Sequence, residues 1–108
     1  MNELAQGEVW YVRFAEPIGR RPAVILTRKS SLFTLHNVTV ATVSRQHHHL
    51  DTEVELTTDD GLFEQCWVSL DNIQTVPQYL FERKLAHLGA IRMSQIFEAV
   101  RDAFEMPF

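Results

Sequence analysis

Short runs that alternate apolar and polar side chains dominate the chain up to Val76. A period of two is typical of half-buried β-strands, because successive side chains of a strand point to opposite faces of the sheet. The pattern predicts six strands: Gly7 to Phe14, Pro22 to Lys29, Val38 to Ser44, Thr52 to Thr57, Gln65 to Leu70 and Asn72 to Val76. Pro17 and Gly19 separate the first two strands, which indicates a hairpin.

The period changes near the C-terminus. Met93, Ile96, Phe97, Val100 and Phe104 recur at a helical spacing, so they share one stripe of an amphipathic helix. Such a stripe predicts a last helix that packs on the strands. A shorter helical turn is predicted from Tyr79 to Leu85, with Gly89 as the residue that ends it.

Close spacing of the strands and the lack of helical segments between them favour an antiparallel sheet over a parallel one. We therefore predict a mainly β fold, a small and partly open barrel with a C-terminal amphipathic helix. At 108 residues, with 45% hydrophobic and 22% charged residues, the chain suits one globular domain spanning residues 1–108.

The net charge of −4 is unevenly distributed. The first 45 residues carry a balance of +3 and the remainder −7, so a basic surface can exist on an acidic protein. No apolar run approaches the roughly 20 residues of a membrane span and the start lacks a signal peptide, which predicts a cytoplasmic protein without membrane contact. The single Cys66 excludes an internal disulfide and a thiolate zinc site.

Candidate chemistry begins with "GRRPAVILTR", where Arg20 and Arg21 stand at the mouth of an apolar strand. A guanidinium is a permanent cation whose donors fit phosphate oxygens. The pair can therefore grip a phosphodiester, and the alternative is a surface ion pair with Glu8 or Glu16.

Two further side chains stand where strands end or change. Ser44 closes the third strand, and its hydroxyl can bind a phosphate or cap its own turn. Asp71 lies between two predicted strands, where a carboxylate can act as a general base or form an Asx turn.

Three consecutive histidines, His47 to His49, raise the question of a metal site. Adjacent residues cannot readily converge on one ion, so we predict no metal and no other cofactor. The histidine loop is interpreted as an exposed segment that contacts RNA phosphates or is simply polar. Trp10 and Trp67 are assigned to the core.

The ordered blocks "GEVWYV", "RPAVILT", "VTVATVS", "TEVEL", "CWVSLDNIQTV" and "LGAIRMSQIFEAV" resemble the MazF/PemK family of toxin–antitoxin toxins. The resemblance runs from about Gly7 to Phe104. It implies an SH3-like barrel, a homodimer and a metal-independent endoribonuclease that cuts single-stranded RNA. In this chemistry the ribose 2′-hydroxyl attacks the adjacent phosphate, leaving 2′,3′-cyclic phosphate and 5′-hydroxyl ends. The resemblance also implies an acidic cognate antitoxin that neutralises the toxin.

The resemblance also implies roles for individual residues. Arg21 matches the family's arginine before proline and would stabilise charge on the phosphate. Ser44 takes the place of a family threonine, and Asp71 matches an aspartate used as a base in some members. RNA contacts are predicted for a wider set: Arg20, Arg45, Phe33, His36 and His47. Phe33 and His36 have the alternative of filling core.

The chain also departs from the family pattern. Only Glu16 to Gly19 remain of a longer first loop that often carries a Gly-x-Glu-Gln segment, and Ser69 replaces an arginine of some relatives. These differences leave two alternatives to an active enzyme. One is a toxin that poisons a topoisomerase on the same barrel, although the chain ends in "EMPF" without that family's Trp-Gly-Ile-type tail. The other is an inactive regulatory barrel.

Overall fold

The computed structural model of the protein describes residues 4–32 and 34–107. Within these ranges it contains six strands, three single-turn 3₁₀ helices and one α-helix. The strands are β1 (Glu8–Arg13), β2 (Arg20–Ile25), β3 (Asn37–Ser44), β4 (Glu53–Leu56), β5 (Cys66–Pro77) and β6 (Phe81–His87), and the helix is α1 (Ala90–Ala103). The 3₁₀ turns are Lys29–Ser31, Thr58–Asp60 and Gln78–Leu80.

All six strands form one antiparallel sheet in the order β4-β5-β3-β2-β1-β6. The predicted hairpin of β1 and β2 is confirmed, with Val9 opposite Val24 and Arg13 opposite Arg20. β2 is shorter than predicted, since it ends at Ile25 and Lys29 already belongs to a 3₁₀ turn. The mainly β fold with a C-terminal helix is confirmed.

β5 corrects the prediction of two short strands. It is one strand of twelve residues, and the register against β3 shifts between Ala41 and Val43. The sequence suggested a break because Asp71 and Asn72 interrupt the apolar alternation. The structure accommodates these polar residues in a β-bulge, which changes the direction of side chains without ending the strand.

β6 shows that the helical turn predicted from Tyr79 to Leu85 was wrong. Only Gln78–Leu80 forms a 3₁₀ turn, and the chain then pairs with the free edge of β1. Phe81 packs edge-on against Trp10 with ring centroids 6.1 Å apart. Strand pairing with β1 and this aromatic contact outweigh a weak local helical preference. Gly89 is the N-cap residue of α1, so its predicted role as a helix end was also wrong.

Apolar side chains pack on both faces of the sheet. The first cluster lies under α1 and includes Val9, Val24, Val43, Val68, Leu70 and, from the helix, Ile96 and Ala99. The second lies on the opposite face and includes Trp10, Val12, Ala23, Ile25, Val38 and Val40. The predicted helical stripe is therefore only partly right. Ile96 is buried with Met93 and Val100 beside it, whereas Phe97 and Phe104 are exposed.

The two edges of the sheet approach each other. Gly61, which follows β4, has a φ of +97°, and a Cβ there would lie 3.1 Å from Cβ of Ala86 in β6. Arg92 of α1 also contacts Asp60 beside Gly61, with N and O 3.1 Å apart. The sheet thus curls into the partly open barrel that the sequence predicts.

Two buried ionisable groups differ in charge. Burial and the nearby Glu64 and Asp60 raise the pKa of the Cys66 thiol to about 11, so the thiol is neutral at physiological pH. Glu8 is 5% exposed, and its carboxylate accepts hydrogen bonds from Trp10 Nε1 and the Ala5 amide and lies 3.0 Å from Lys84 Nζ. Burial raises the pKa of the Glu8 carboxyl, but these contacts outweigh burial and hold it below its ordinary value of 4.5.

We expect Glu8→Gln to lower the free energy of unfolding at pH 7 by about 1–3 kcal/mol, because a charged acceptor is replaced by a weaker neutral one. A depressed pKa stabilises the fold above the carboxyl's ordinary pKa, and the stabilisation is lost as pH falls through the folded-state pKa. The difference in free energy of unfolding between the wild type and Glu8→Gln should therefore shrink below pH 4.5. Urea unfolding between pH 7 and about 3 measures it, with the exposed Glu98→Gln as control. Equal deficits at every pH would contradict this role.

No helix in residues 4–32 and 34–107 is long and apolar enough to cross a membrane.

Candidate functional site

A polar cavity of about 500 Å³ opens on the sheet face opposite α1. Its walls come from the start of β2, the end of β3 and the following loop, and from β4 and β5. The lining residues are Ile18, Arg21, Thr42, Val43, Ser44, Arg45, Gln46, His48, Glu53, Trp67, Ser69, Asn72 and Gln74. The cavity therefore brings together charged, hydroxyl and carboxamide side chains from segments that are far apart in the sequence.

Strand register explains why these residues meet. Ala23 and Thr42 are the last paired residues of β2 and β3 on this side, and extending their register by two residues directs Arg21 towards Ser44. Ser44 in turn pairs with Trp67 of β5. Residues directly opposite each other point to the same face, so Arg21, Ser44 and Trp67 form one row across three neighbouring strands. This row is the floor of the cavity.

The two arginines of the opening motif have different environments. Successive side chains of β2 point to opposite faces, so Arg20 lies on the other side of the sheet from Arg21. Arg20 forms an ion pair with Glu82 of β6, with Nε and Oε1 2.5 Å apart. Arg21 is exposed, and among the described residues no carboxylate lies within 4.0 Å of its guanidinium. A surface ion pair therefore forms only at Arg20, and its partner is Glu82 rather than the predicted Glu8 or Glu16, since Glu8 contacts Lys84.

Ser44 caps its own turn, as one of its two predicted roles requires. Its Oγ accepts a hydrogen bond from the backbone amide of Gln46 at 3.1 Å, so the hydroxyl caps the turn that follows β3. The same side chain lines the cavity next to Arg21. Its hydroxyl proton is still available to donate to a phosphate oxygen, because the Gln46 contact uses an oxygen lone pair.

Asp71 lies outside the lining of the cavity. Its carboxylate accepts a hydrogen bond from the Thr52 hydroxyl, which ties β5 to the residue before β4. The bulge in β5 is responsible for this placement, since it leaves Asn72 rather than Asp71 among the lining residues. The structure therefore brings Arg21 and Ser44 together and sets Asp71 apart from them.

The predicted RNA-contacting residues are dispersed. Arg45 lines the cavity, and its guanidinium lies 3.6 Å from Glu64 in an exposed pair. His36 is exposed just before β3, eight residues from Ser44, which corresponds to about 26 Å along a strand. It is not among the residues that line the cavity. Phe33 lies outside the described residues, so its contact with RNA stays a prediction.

The histidine loop is more ordered than the sequence indicated. The imidazole of His47 stacks on the indole of Trp67 at a centroid distance of 4.5 Å and an interplanar angle of 8°. The Glu53 side chain is 2% exposed, and its carboxylate accepts the backbone amides of His48 and Leu50. Within the part of the chain that the structure describes, no group of three His, Cys, Asp or Glu residues is arranged to hold a metal ion.

Sequence reasoning missed Trp67, which it placed in the core, and it missed Glu53 altogether. A signal for Trp67 was present. Val68 and Leu70 are the buried residues of this segment, so strict alternation puts Trp67 and Ser69 on the opposite, polar face. No comparable signal marked Glu53, since its partners are backbone amides of another segment.

Comparison with known proteins identifies the family. The model of the PemK-like, MazF-like toxins of type II toxin–antitoxin systems matches residues 5–104. The chain belongs to this family. Among its relatives, the probable endoribonuclease MazF5 of Mycobacterium tuberculosis is 34% identical over 102 residues, covering 94% of this chain and 93% of the relative. The endoribonuclease MazF3 of the same species is 37% identical over 86 residues, covering 80% and 84%.

Solved structures of MazF toxins share the fold. The M. tuberculosis toxin MazF-mt6 superposes with a TM-score of 0.87 at 32% identity, covering 94% of this chain and 99% of the other. A mycobacterial endoribonuclease solved in complex with its cognate antitoxin gives a TM-score of 0.86 at 20% identity, covering 97% and 98%. This PemK/MazF chain thus matches its solved relatives over nearly the whole fold.

Proposed function

We propose that the chain is a metal-independent endoribonuclease toxin that cuts single-stranded RNA. One observation carries the proposal. Arg21, a cation without a carboxylate partner among the described residues, stands beside the Ser44 hydroxyl at the floor of a cavity of about 500 Å³. A preorganised cation next to a hydroxyl donor suits a phosphodiester whose negative charge increases in the transition state. The curated relatives named endoribonuclease support the same reading.

The proposed reaction is an internal transfer of the phosphate. The ribose 2′-hydroxyl gives up its proton to the base, for which Asp71 is proposed below, and its oxygen forms a bond to the adjacent phosphorus. The bond from phosphorus to the 5′-oxygen of the next nucleotide breaks. That 5′-oxygen takes up a proton from solvent. The products are a 2′,3′-cyclic phosphate and a 5′-hydroxyl, and the reaction needs no metal.

Each site residue has a defined part in this proposal. Arg21 donates to the non-bridging phosphate oxygens, and Ser44 donates to a phosphate oxygen or holds the 2′-hydroxyl. Arg45 adds positive charge at the rim, because its solvated pair with Glu64 is weak and is easily exchanged for a phosphate. Asp71 is the proposed base, but it lies outside the cavity lining and accepts a hydrogen bond from Thr52, so in this proposal it takes the proton through a bridging water. The cleavage rate of Asp71→Asn tests this role.

The proposal extends to partners and location. The cavity lined by Arg21 and Arg45 suits an acidic cognate antitoxin, whose carboxylates would compete with RNA phosphates for these two cations. Solved structures of a mycobacterial endoribonuclease with its cognate antitoxin and of MazE–MazF from Deinococcus radiodurans are in line with such a partner. We further propose that the toxin acts as a homodimer in the cytoplasm.

We expect the purified chain to cut a long mixed-sequence RNA at discrete sites in the presence of EDTA. Mapping of the new 5′ ends gives the recognised sequence, and analysis of the fragments should detect 2′,3′-cyclic phosphate. A DNA strand of the same sequence is the control, since it lacks the 2′-hydroxyl and should stay intact. RNA left intact by folded, antitoxin-free protein would contradict the proposal and favour a non-catalytic binding module.

A further inference from the structure

Trp67 lines the cavity, and the imidazole of His47, which is not itself a lining residue, stacks on its indole. Their rings are nearly parallel, at 8°, with centroids 4.5 Å apart, and Trp67 is only half-buried. This arrangement is offset stacking of two aromatic planes, and a nucleobase makes the same kind of contact with an indole. The imidazole therefore occupies a position that fits a flat heteroaromatic ring.

The loop that carries His47 is held in place by a buried carboxylate. Glu53 accepts the backbone amides of His48 at 2.9 Å and of Leu50 at 3.2 Å, and its Oε1 lies 3.7 Å from Nε2 of His47. His49 has a φ of +57°, a left-handed conformation that non-glycine residues adopt only where surrounding contacts enforce it. The stacked position of His47 is thus built by the loop, while the side chain itself stays about one-third exposed.

Trp67 also stands at a useful distance from the proposed reaction centre. It is two strands away from Arg21 in the row Arg21, Ser44, Trp67, or about 10 Å at the usual strand spacing. A phosphate bound at Arg21 would bring a neighbouring nucleotide within reach of the indole. Carboxamides of Gln46, Asn72 and Gln74 line the same cavity and offer donors and acceptors for the edge of a base.

We propose that the Trp67 face covered by His47 is a stacking subsite for one nucleobase of single-stranded RNA. The base displaces the imidazole and takes its place on the indole. This inference rests on the proposed function of the chain as an endoribonuclease. It makes Trp67 a specificity-determining residue, since the carboxamides that line the same cavity would contact the edge of the base stacked there.

Binding measurements on modified RNA test the subsite. The probe is an oligonucleotide that spans a mapped cleavage site and carries a 2′-deoxyribose at the attacking position, so that it binds without being cut. A series replaces one nucleotide at a time by an abasic residue. For the wild-type protein, we expect removal of the base at one position near the cut to lower the affinity for the probe by about 5- to 100-fold.

The same series on Trp67 variants gives the deciding comparison. In Trp67→Leu, removing the base at that position should lower the affinity no further, because the stacking partner is already gone. In Trp67→Phe, removing the base should again lower the affinity nearly as much as in the wild type. His47→Ala should bind the unmodified probe several-fold more tightly, because it removes the competing ring. Circular dichroism checks the fold of each variant, and the phenylalanine and His47 variants keep the test informative if Trp67→Leu unfolds.

Two results would overturn the subsite while leaving the endoribonuclease intact. One is an abasic penalty that is the same in wild type and Trp67→Leu. The other is weaker binding by His47→Ala, which would place the base on His47 instead of Trp67. A wild-type protein that cuts no RNA would instead overturn both the proposed function and the subsite.

Discussion

Replacing Arg21 with alanine should lower the rate of RNA cleavage by about 10²–10³-fold while the protein stays folded. The guanidinium is exposed and has no carboxylate partner within the described part of the chain, so the fold loses little when it is removed. The reaction should lose the cation that we propose to face the phosphate in the transition state. Single-turnover cleavage of an RNA with a mapped site measures the rate, and urea unfolding measures stability.

Arg20→Ala is the matched control for this prediction. The two arginines are adjacent, equally charged and both exposed, but β2 turns their side chains to opposite faces of the sheet. Arg20 is already neutralised by Glu82, and its loss should change cleavage by only a few-fold. Equal losses in both variants would mean that general attraction of RNA, rather than a positioned cation, accounts for the effect.

Ile96→Ala should lower the free energy of unfolding by about 2–5 kcal/mol. Ile96 has no exposed surface and is the largest side chain that α1 buries in the cluster formed with Val68 and Leu70. Truncating it leaves a cavity between helix and sheet. Chemical unfolding followed by circular dichroism gives the difference, provided that wild type and variant have similar m-values.

The control for Ile96 lies on the same helix. Ile91 is 78% exposed, so Ile91→Ala removes the same atoms from a solvated position and should change stability by less than about 0.5 kcal/mol. Comparison of the two variants separates the loss of buried contacts from the change in helix propensity, which favours alanine at both positions. A small loss in Ile96→Ala would show that α1 contributes little to the stability of the barrel.

The strands of the first half were predictable because their signals are local. β1, the β1–β2 hairpin, β3 and β4 all follow from alternating side chains between turn residues. The errors fall where partners distant in sequence decide the conformation. Phe81 to His87 becomes a strand because β1 offers a free edge, and α1 turns Ile96 inward and Phe97 outward to match the surface of the sheet.

The candidate site shows the same division. Arg21 and Ser44 could be proposed from residue type and position at strand ends, and the structure places both in one cavity. Their partners could not be proposed in this way. Trp67 reaches the cavity through its pairing with Ser44, and Glu53 becomes important only through amides of the histidine loop.

The sequence by itself determined the class of fold, the positions of most strands along the chain and the cations available for phosphate binding, because periodicity and residue type are properties of short segments. Only the tertiary structure decided which of Arg20 and Arg21 has no carboxylate partner among the described residues. Register across β1, β2 and β6 pairs Arg20 with Glu82, and the bulge in β5 brings Asn72 rather than Asp71 into the cavity. Both outcomes depend on contacts between residues far apart in the chain, which no local pattern encodes.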